Sequence, residues 1–348
     1  MRQARNRAVL ALLFCLVTVM AQARTKGREA SIEERADLLF HQERFSEAFA
    51  AYRQGASMGS MKSETSLGYM YASGLGTQID PVQAFNWIEK AAEQGDPRAE
   101  AMLGVLYQNG SGTAQDYAQA LTWFGKAAQK SNVSAENNLG FLSLKGLGTP
   151  QDYPRALAWF SRAAEQGFAQ AEYNLGSMYE QGLGTATDYE RAFTWYSKAA
   201  EQGLDSAQDR LGLMYYRGLG TARDYAQAFS WFTKAALQGS ASAENNLGLM
   251  YCRGQATARD YALAAKWFSQ AAEQDSAAAE SNLGYLYLKG LGVTPDPARA
   301  RTFLEQAARQ GNESAKEGLA LLDKRTEQPS ALSVPITTGG ASLDEPAR

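Results

Sequence analysis

Seven aspartates recur every 36 residues, Asp80, Asp116, Asp152, Asp188, Asp224, Asp260 and Asp296, and they are the most regular source of carboxylates in the chain. Two carboxylates converging on one cleft could do general acid-base work. These are instead strung along the sequence, each just ahead of a helical apolar pattern, where a carboxylate caps the unpaired N–H groups of a first turn. Asp80-Pro81 and Asp296-Pro297 strengthen that reading, since proline is at home at the first helical position. Glycine-rich turns such as Gly110-Ser111-Gly112-Thr113 could cradle a phosphate ahead of a helix. No strand precedes them and no Lys-Ser/Thr follows, which favours a tight turn between helices. Trp87, Trp123, Trp159, Trp195, Trp231 and Trp267 are also 36 residues apart, and the next step falls on Phe303. Such rings could stack sugars, but each shares a helical face with alanines and, in most copies, a second aromatic, so the row reads as structural core. The lone histidine, His41, cannot supply a multi-histidine metal or acid-base site. No catalytic constellation emerges, no metal or other cofactor is expected, and the chain reads as a non-enzyme.

Composition sets the frame for these residues. The 348 residues are 45% hydrophobic and 20% charged, with 34 basic against 37 acidic side chains and 32 glycines, as expected of an ordered chain. A pI near 5.5 and the lack of a polybasic run argue against nucleic acid as a partner. Residues 1–23 read as a signal peptide: Arg2, Arg5 and Arg7 lead an apolar run from Ala8 to Met20, followed by Ala21-Gln22-Ala23. The run is short for a membrane span and no longer one follows, so the mature chain is expected to be periplasmic or secreted rather than integral to the membrane. Removing the leader takes Cys15 with it and leaves Cys252 as the only cysteine, so packing rather than an internal disulfide must stabilise the fold.

The elements that position these groups follow from one repeat. From Asp96-Pro97 a first helix carries Ala99, Leu103, Leu106 and Tyr107 at helical spacing and stops at Gly110. Gly104 lies inside it, and its equivalents Gly68, Gly140, Gly176, Gly212, Gly248 and Gly284 each follow a leucine. A mid-helix glycine costs about 1 kcal/mol relative to alanine, so its recurrence implies a close helix approach. After the turn, Asp116 starts a second helix with Tyr117, Ala120, Trp123, Phe124, Ala127 and Ala128 on one face. In most copies Gln-Gly closes it, the glycine serving as a left-handed cap, while Ser131 and Asp275 stand in for that glycine in two copies. A hairpin of this kind cannot bury its own stripe, so neighbours must stack.

Leu175 to Gly203 reads L-G-x-x-Y, G-x-G-T and D-Y-x-x-A-x-x-W-x-x-x-A-A-x-Q-G. It resembles the Sel-one-like repeat (SLR), a relative of the tetratricopeptide repeat. The resemblance implies an all-α fold, a right-handed α-solenoid of about seven 36-residue hairpins with terminal caps. The expected organisation is a degenerate hairpin cap at 24–62, seven repeats at 63–312, a capping helix at 313–324 and a disordered tail at 325–348.

The same resemblance places the first helices along a concave groove, with four groove positions per repeat set by the Leu-Gly glycine: two before it, one after it, and four and five after it. These are positions where the copies differ. The first is Asn138, Asn174, Arg210, Asn246 and Asn282, and the second includes Phe141, Leu213, Leu249 and Tyr285. The last two are Leu144, Glu180, Tyr216, Cys252 and Leu288, then Lys145, Gln181, Arg217, Arg253 and Lys289. Aromatics, arginines and amides together are typical of interfaces. The asparagines either hold the backbone of an extended peptide or satisfy neighbouring groups within the fold. The basic set Lys145, Arg210, Arg217, Arg253 and Lys289 points to a protein or peptide ligand that is acidic, against a solvated basic face as the competing account. The resemblance thus implies a protein-binding scaffold or adaptor. A cell-wall role, binding peptidoglycan or a wall enzyme, and a secreted host-interaction role are the alternatives.

Overall fold

Each repeat becomes two helices because its punctuation falls where backbone groups need it. The computed structural model describes residues 31–327, so the leader at 1–23 and the tail beyond 327 lie outside the described residues. The helices are α1 (31–41), α2 (Phe45–Ser57), α3 (Met61–Ser73), α4 (Pro81–Glu93), α5 (Pro97–Asn109), α6 (Tyr117–Gln129), α7 (Val133–Lys145) and α8 (Tyr153–Glu165). They continue as α9 (Ala169–Gln181), α10 (Tyr189–Glu201), α11 (Asp205–Arg217), α12 (Tyr225–Leu237), α13 (Ala241–Arg253), α14 (Tyr261–Ala272), α15 (Ala277–Lys289), α16 (Pro297–Arg309) and α17 (Glu313–Glu327). There is no strand among the described residues. The C-terminal helix outlasts its expected end at 324, and its last three residues take up what was read as the start of the tail.

The caps are those the repeat implies. Asp80 Oδ1 accepts from the N–H groups of Val82 and Gln83, and Asp116 Oδ1 from those of Ala118 and Gln119, at 2.9 to 3.1 Å. The first helices end on left-handed glycines, Gly110 at φ 68° among them. Where the glycine after a second helix is replaced, Ser131 and Asp275 adopt positive φ themselves, 59° and 58°, a strained choice for a side-chain-bearing residue. Gly104 is there for space: a Cβ on it would lie 2.6 Å from the Phe124 ring. Gly112, in the turn, would put a Cβ 2.1 Å from the Pro81 carbonyl oxygen, so this turn is a packing contact with the preceding hairpin, not an anion cradle.

The helices form two compact units, divided within α8 between Trp159 and Phe160. From α2 to α7 in the first unit and from α9 to α17 in the second, each helix packs on the next in sequence, the nearest-neighbour pattern of an α-solenoid. In the N-terminal unit, Ala36, Leu39, Tyr52, Leu67 and Met70 make the first core cluster, and Ala91, Ala92, Ala99 and Leu103 build a later one. In the C-terminal unit one cluster runs from Leu213 to Leu286, and α17 closes the end by packing Ala315 and Leu322 on Tyr285 and Leu288.

The tryptophan row, read as structural core, packs at the edge of that core rather than wholly inside it. Trp87, Trp123, Trp159, Trp195, Trp231, Trp267 and Phe303 are all half-buried, and the fully buried plug is the next residue along: Ile88, Phe124, Phe160, Tyr196, Phe232, Phe268 or Leu304. At 100° per residue the two cannot share one direction, and the alanines at the following turn leave room for the second ring rather than the first. Most of the tryptophans pack against the core of the preceding hairpin, as Trp87, Trp123 and Trp231 do. A lysine three residues on covers several outer ring faces, with Lys126 at 3.5 Å from the Trp123 ring centre and Lys234 at 3.6 Å from that of Trp231.

Candidate functional site

A second periodic feature ties the two helices of a hairpin together. Glu64, Glu100, Glu172, Glu244 and Glu280, near the starts of first helices, are buried. Each meets the side chain 30 residues on, at the end of the same hairpin's second helix. Lys130 Nζ donates to Glu100 at 2.6 Å, and Gln202, Gln274 and Gln310 donate to Glu172, Glu244 and Glu280 at 2.7 to 2.9 Å. Glu64 takes both kinds of partner, Lys90 at 2.8 Å and Gln94. In the three carboxylate–amide latches burial pushes the glutamate pKa above its ordinary value, against the lowering pull of the glutamine in each. The signal was in the sequence as Glu four residues before six of the seven Leu-Gly glycines, with Gln208 before Gly212, and Gln or Lys 30 residues later.

On this frame the groove positions separate by unit. In the C-terminal unit most of them are filled. Leu213, Tyr216, Asn246, Leu249, Cys252, Asn282, Tyr285 and Leu288 are buried, while Asn174, Glu180, Arg217, Arg253 and Lys289 are half-buried and Arg210 is exposed. Their polar atoms meet one another. Asn282 Nδ2 donates to Asn245 Oδ1 at 2.9 Å, and Asn246 Nδ2 to Asp209 Oδ1 at 3.3 Å, beside the Ser242 hydroxyl on the other oxygen. The asparagine ladder here is a set of bonds between neighbouring first helices. Arg253 Nη1 donates to the Tyr216 hydroxyl at 2.7 Å, which in turn donates to Gln255 Oε1 at 2.8 Å. The Tyr196 hydroxyl donates to Glu180 at 2.7 Å, and that of Tyr285 to the Ser314 carbonyl in α17. Desolvation lowers the Arg210 pKa, but Glu180, Tyr196 and Tyr173 outweigh it and hold the guanidinium above its usual value. Burial raises Asp209, lowers Lys289 and pushes the Cys252 thiol up to about 12, so Cys252 is not a thiolate near neutral pH.

The N-terminal unit is open at the same places. Asn138 is half-buried, Phe141 is 36% exposed and Lys145 is exposed. The position rule, extended to the first two repeats, also singles out Ser66, Tyr69 and Met102, which the sequence reading had not named. They line a pocket of about 220 Å³ with Phe40 and Tyr52 of the N-terminal hairpin, and with Thr65 and Arg98. Tyr69 is 45% exposed on its rim. Phe40 stacks edge-on to Tyr52 at 6.5 Å and lies 6.4 Å from Tyr69. His41, on α1, is exposed and beside Phe40. Among the described residues no three His, Cys, Asp or Glu side chains gather as metal ligands, and no helix is long and apolar enough to cross a membrane.

The family model for the Sel1 repeat matches seven consecutive stretches, 62–96, 97–132, 133–168, 169–204, 205–240, 241–276 and 277–312. The chain belongs to the Sel1 repeat family. Among solved structures, a protective antigen present in uropathogenic Escherichia coli strains and displaying an SLR fold is 38% identical, with a TM-score of 0.73 over 81% of this chain. This chain spans only 60% of the antigen's own length. A Sel1 repeat protein from Oxalobacter formigenes is 32% identical, at a TM-score of 0.66, over 86% of this chain and 88% of its own. The anaphase-promoting complex hetero-tetramer Cut9–Hcn1 shares the fold at 15% identity and a TM-score of 0.52, over 83% of this chain and 54% of that one. No curated protein matches the chain. Sel1 repeats generally mediate protein–protein interaction, and the family is typically non-enzymatic.

Proposed function

We propose that this Sel1 repeat chain is an exported, non-catalytic scaffold that binds a partner protein or peptide on the groove positions of its first helices. The observation that carries the reading is the open face of the N-terminal unit, where Tyr69 and Phe141 stay exposed on first helices beside the cations Arg98 and Lys145. Single exposed apolar residues are ordinary. Aromatics set beside cations, on a face held by buried latches, are what interface anchors are built from. An acidic partner fits the two cations. Export is supported by the leader pattern of Arg2, Arg5, Arg7 and Ala21-Gln22-Ala23, and the likeness to a protective antigen favours a periplasmic or secreted site of action.

The test is photo-crosslinking in the native host with the reactive residue at Phe141 and, as control, at Thr122, which is exposed on a second helix. Capture of one partner from Phe141 alone is expected. Equal capture from both positions, or from neither, would remove the groove face as the working surface.

A further inference from the structure

The pocket of the N-terminal unit allows the ligand to be described more closely, a step that rests on the scaffold reading above. Its volume, about 220 Å³, is below the roughly 300 Å³ at which small-molecule sites begin. It suits one side chain of a polypeptide. The walls are the rings of Phe40, Tyr52 and Tyr69 and the thioether of Met102. The polar atoms at its floor already have partners within the fold. The Tyr52 hydroxyl donates to Asp37 at 2.7 Å, the Thr65 hydroxyl to Asp96 at 2.6 Å, and Ser66 is hydrogen-bonded to Tyr52. Asp37 is itself paired with Lys62. A polar group reaching Tyr52, Thr65 and Ser66 would lose its water and find those partners already taken, whereas an apolar side chain loses nothing.

Arg98 supplies the charge. Its side chain is 63% exposed at the pocket edge, and its ion pair with Asp96, through Nε at 4.0 Å, is long. A guanidinium so placed holds a carboxylate by its fork. We propose that the pocket takes one aliphatic or aromatic side chain of an extended partner peptide, while Arg98 binds an Asp or Glu side chain adjacent to that anchor in the peptide. Ser66, Tyr69 and Met102 are groove positions of the first two repeats and Asn138 and Phe141 of the third, so the peptide would continue along one face of this unit.

The probe is a displayed library of random peptides selected on the full chain, in parallel with selection on Arg98→Glu. Arg98 is exposed, so the variant should keep the fold, which circular dichroism checks. Wild type is expected to enrich an apolar residue next to Asp or Glu. A fluorescein-labelled peptide of that sequence should bind about tenfold or more weakly when its anchor becomes Ala, and similarly on Arg98→Glu. Arg98→Lys should recover part of the binding, and Arg98→Glu should itself enrich Lys or Arg beside the anchor. Peptides enriched equally on both chains, peptides without the apolar–acidic pair, or no enrichment at all would each overturn the pocket assignment. If the equally enriched peptides are lost on Phe141→Ala, the scaffold reading survives that failure. If crosslinking from Phe141 also captures nothing, both fall.

Discussion

Tyr69 and Tyr285 occupy the same place in the repeat, one residue after the Leu-Gly glycine, yet one is 45% exposed and the other 1%. The backbone around them is the same, so the repeat pattern alone does not decide which face is free. What differs is the neighbour. Tyr285 is covered by α17, with Ala315 and Leu322 in its cluster and its hydroxyl on the Ser314 carbonyl, while Tyr69 borders a pocket shared with Phe40 and Met102. Elsewhere in the C-terminal unit, Leu213 and Leu249 bring bulk to the same position on adjacent first helices and join one core cluster. The corresponding positions of the N-terminal unit carry Tyr69, Val105 and Phe141, with Ser66, Ala72, Ser73, Met102, Gln108 and Asn109 at the other groove positions of its first two repeats, and that face stays open.

The largest expected difference comes from truncating those two tyrosines. Tyr285→Ala should cost about 3 to 5 kcal/mol, because it empties a closed cluster and removes the hydroxyl's bond to the Ser314 carbonyl. Tyr69→Ala should remain within about 1 kcal/mol of wild type, as a half-exposed ring contributes mainly its one buried edge. Urea denaturation of both variants gives the comparison directly. Equal midpoints would mean that the two faces are energetically alike and that the open face is not a distinct surface.

The asparagines sharpen the contrast at a smaller scale. Asn282→Ala leaves Asn245 Oδ1 buried without its donor and should cost about 1 to 3 kcal/mol. Asn138→Ala, at the same repeat position in the open unit, should cost about 0.5 kcal/mol or less. The same denaturation series reads both, and a costly Asn138→Ala would show that the amide ladder is structural in both units.

How much of this was legible can be judged from particular residues. The 36-residue period, the Asp caps and the mid-helix glycines fixed the hairpins, because each is a local requirement of backbone or helix contact. The same position rule, applied to the first two repeats, lands on Tyr69 and Met102, which line the pocket of that unit. Burial along that face was not legible, because it depends on which side chains meet across hairpins, as Asn282 meets Asn245 37 residues away. The tryptophan row shows the same limit, since spacing could not tell which of two adjacent rings enters the core. The Glu64-type latches were legible as a period but were passed over, since a charged residue on a helix usually reads as solvated.

Those latches give the next comparison, in pH. In the N-terminal unit a lysine reaches each of Glu64 and Glu100, with Gln94 also on Glu64, whereas the C-terminal unit uses glutamines on Glu172, Glu244 and Glu280. A carboxyl whose pKa is raised by burial binds its proton more tightly folded than unfolded. Its contribution is therefore fully present below the unfolded pKa and is lost as pH rises through the folded value. Amide hydrogen exchange should show the C-terminal unit gaining protection as pH falls toward the ordinary glutamate range, once intrinsic exchange is corrected. Glu244→Gln with Glu280→Gln should flatten that dependence. An unchanged slope in the double variant would place the titration elsewhere, and Asp209, also raised by burial, would be the group to change next.

The smallest stability effect should accompany a clear functional one. Lys145 is exposed in the open unit, and Lys145→Glu should shift stability by about 0.5 kcal/mol or less. It should nonetheless weaken capture of an acidic partner, with the loss growing at low ionic strength where the charge is least screened. Lys289 is the matched test: it holds the same repeat position but is half-buried, and desolvation already disfavours its charge. Lys289→Glu should lower stability more than Lys145→Glu does and leave partner capture unchanged. Measured together by denaturation midpoint and crosslinking yield from Phe141, the pair separates a binding surface from a filled one. If Lys289→Glu abolished capture while Lys145→Glu did not, the working face would lie in the C-terminal unit, and the comparison between Tyr69 and Tyr285 would describe packing alone.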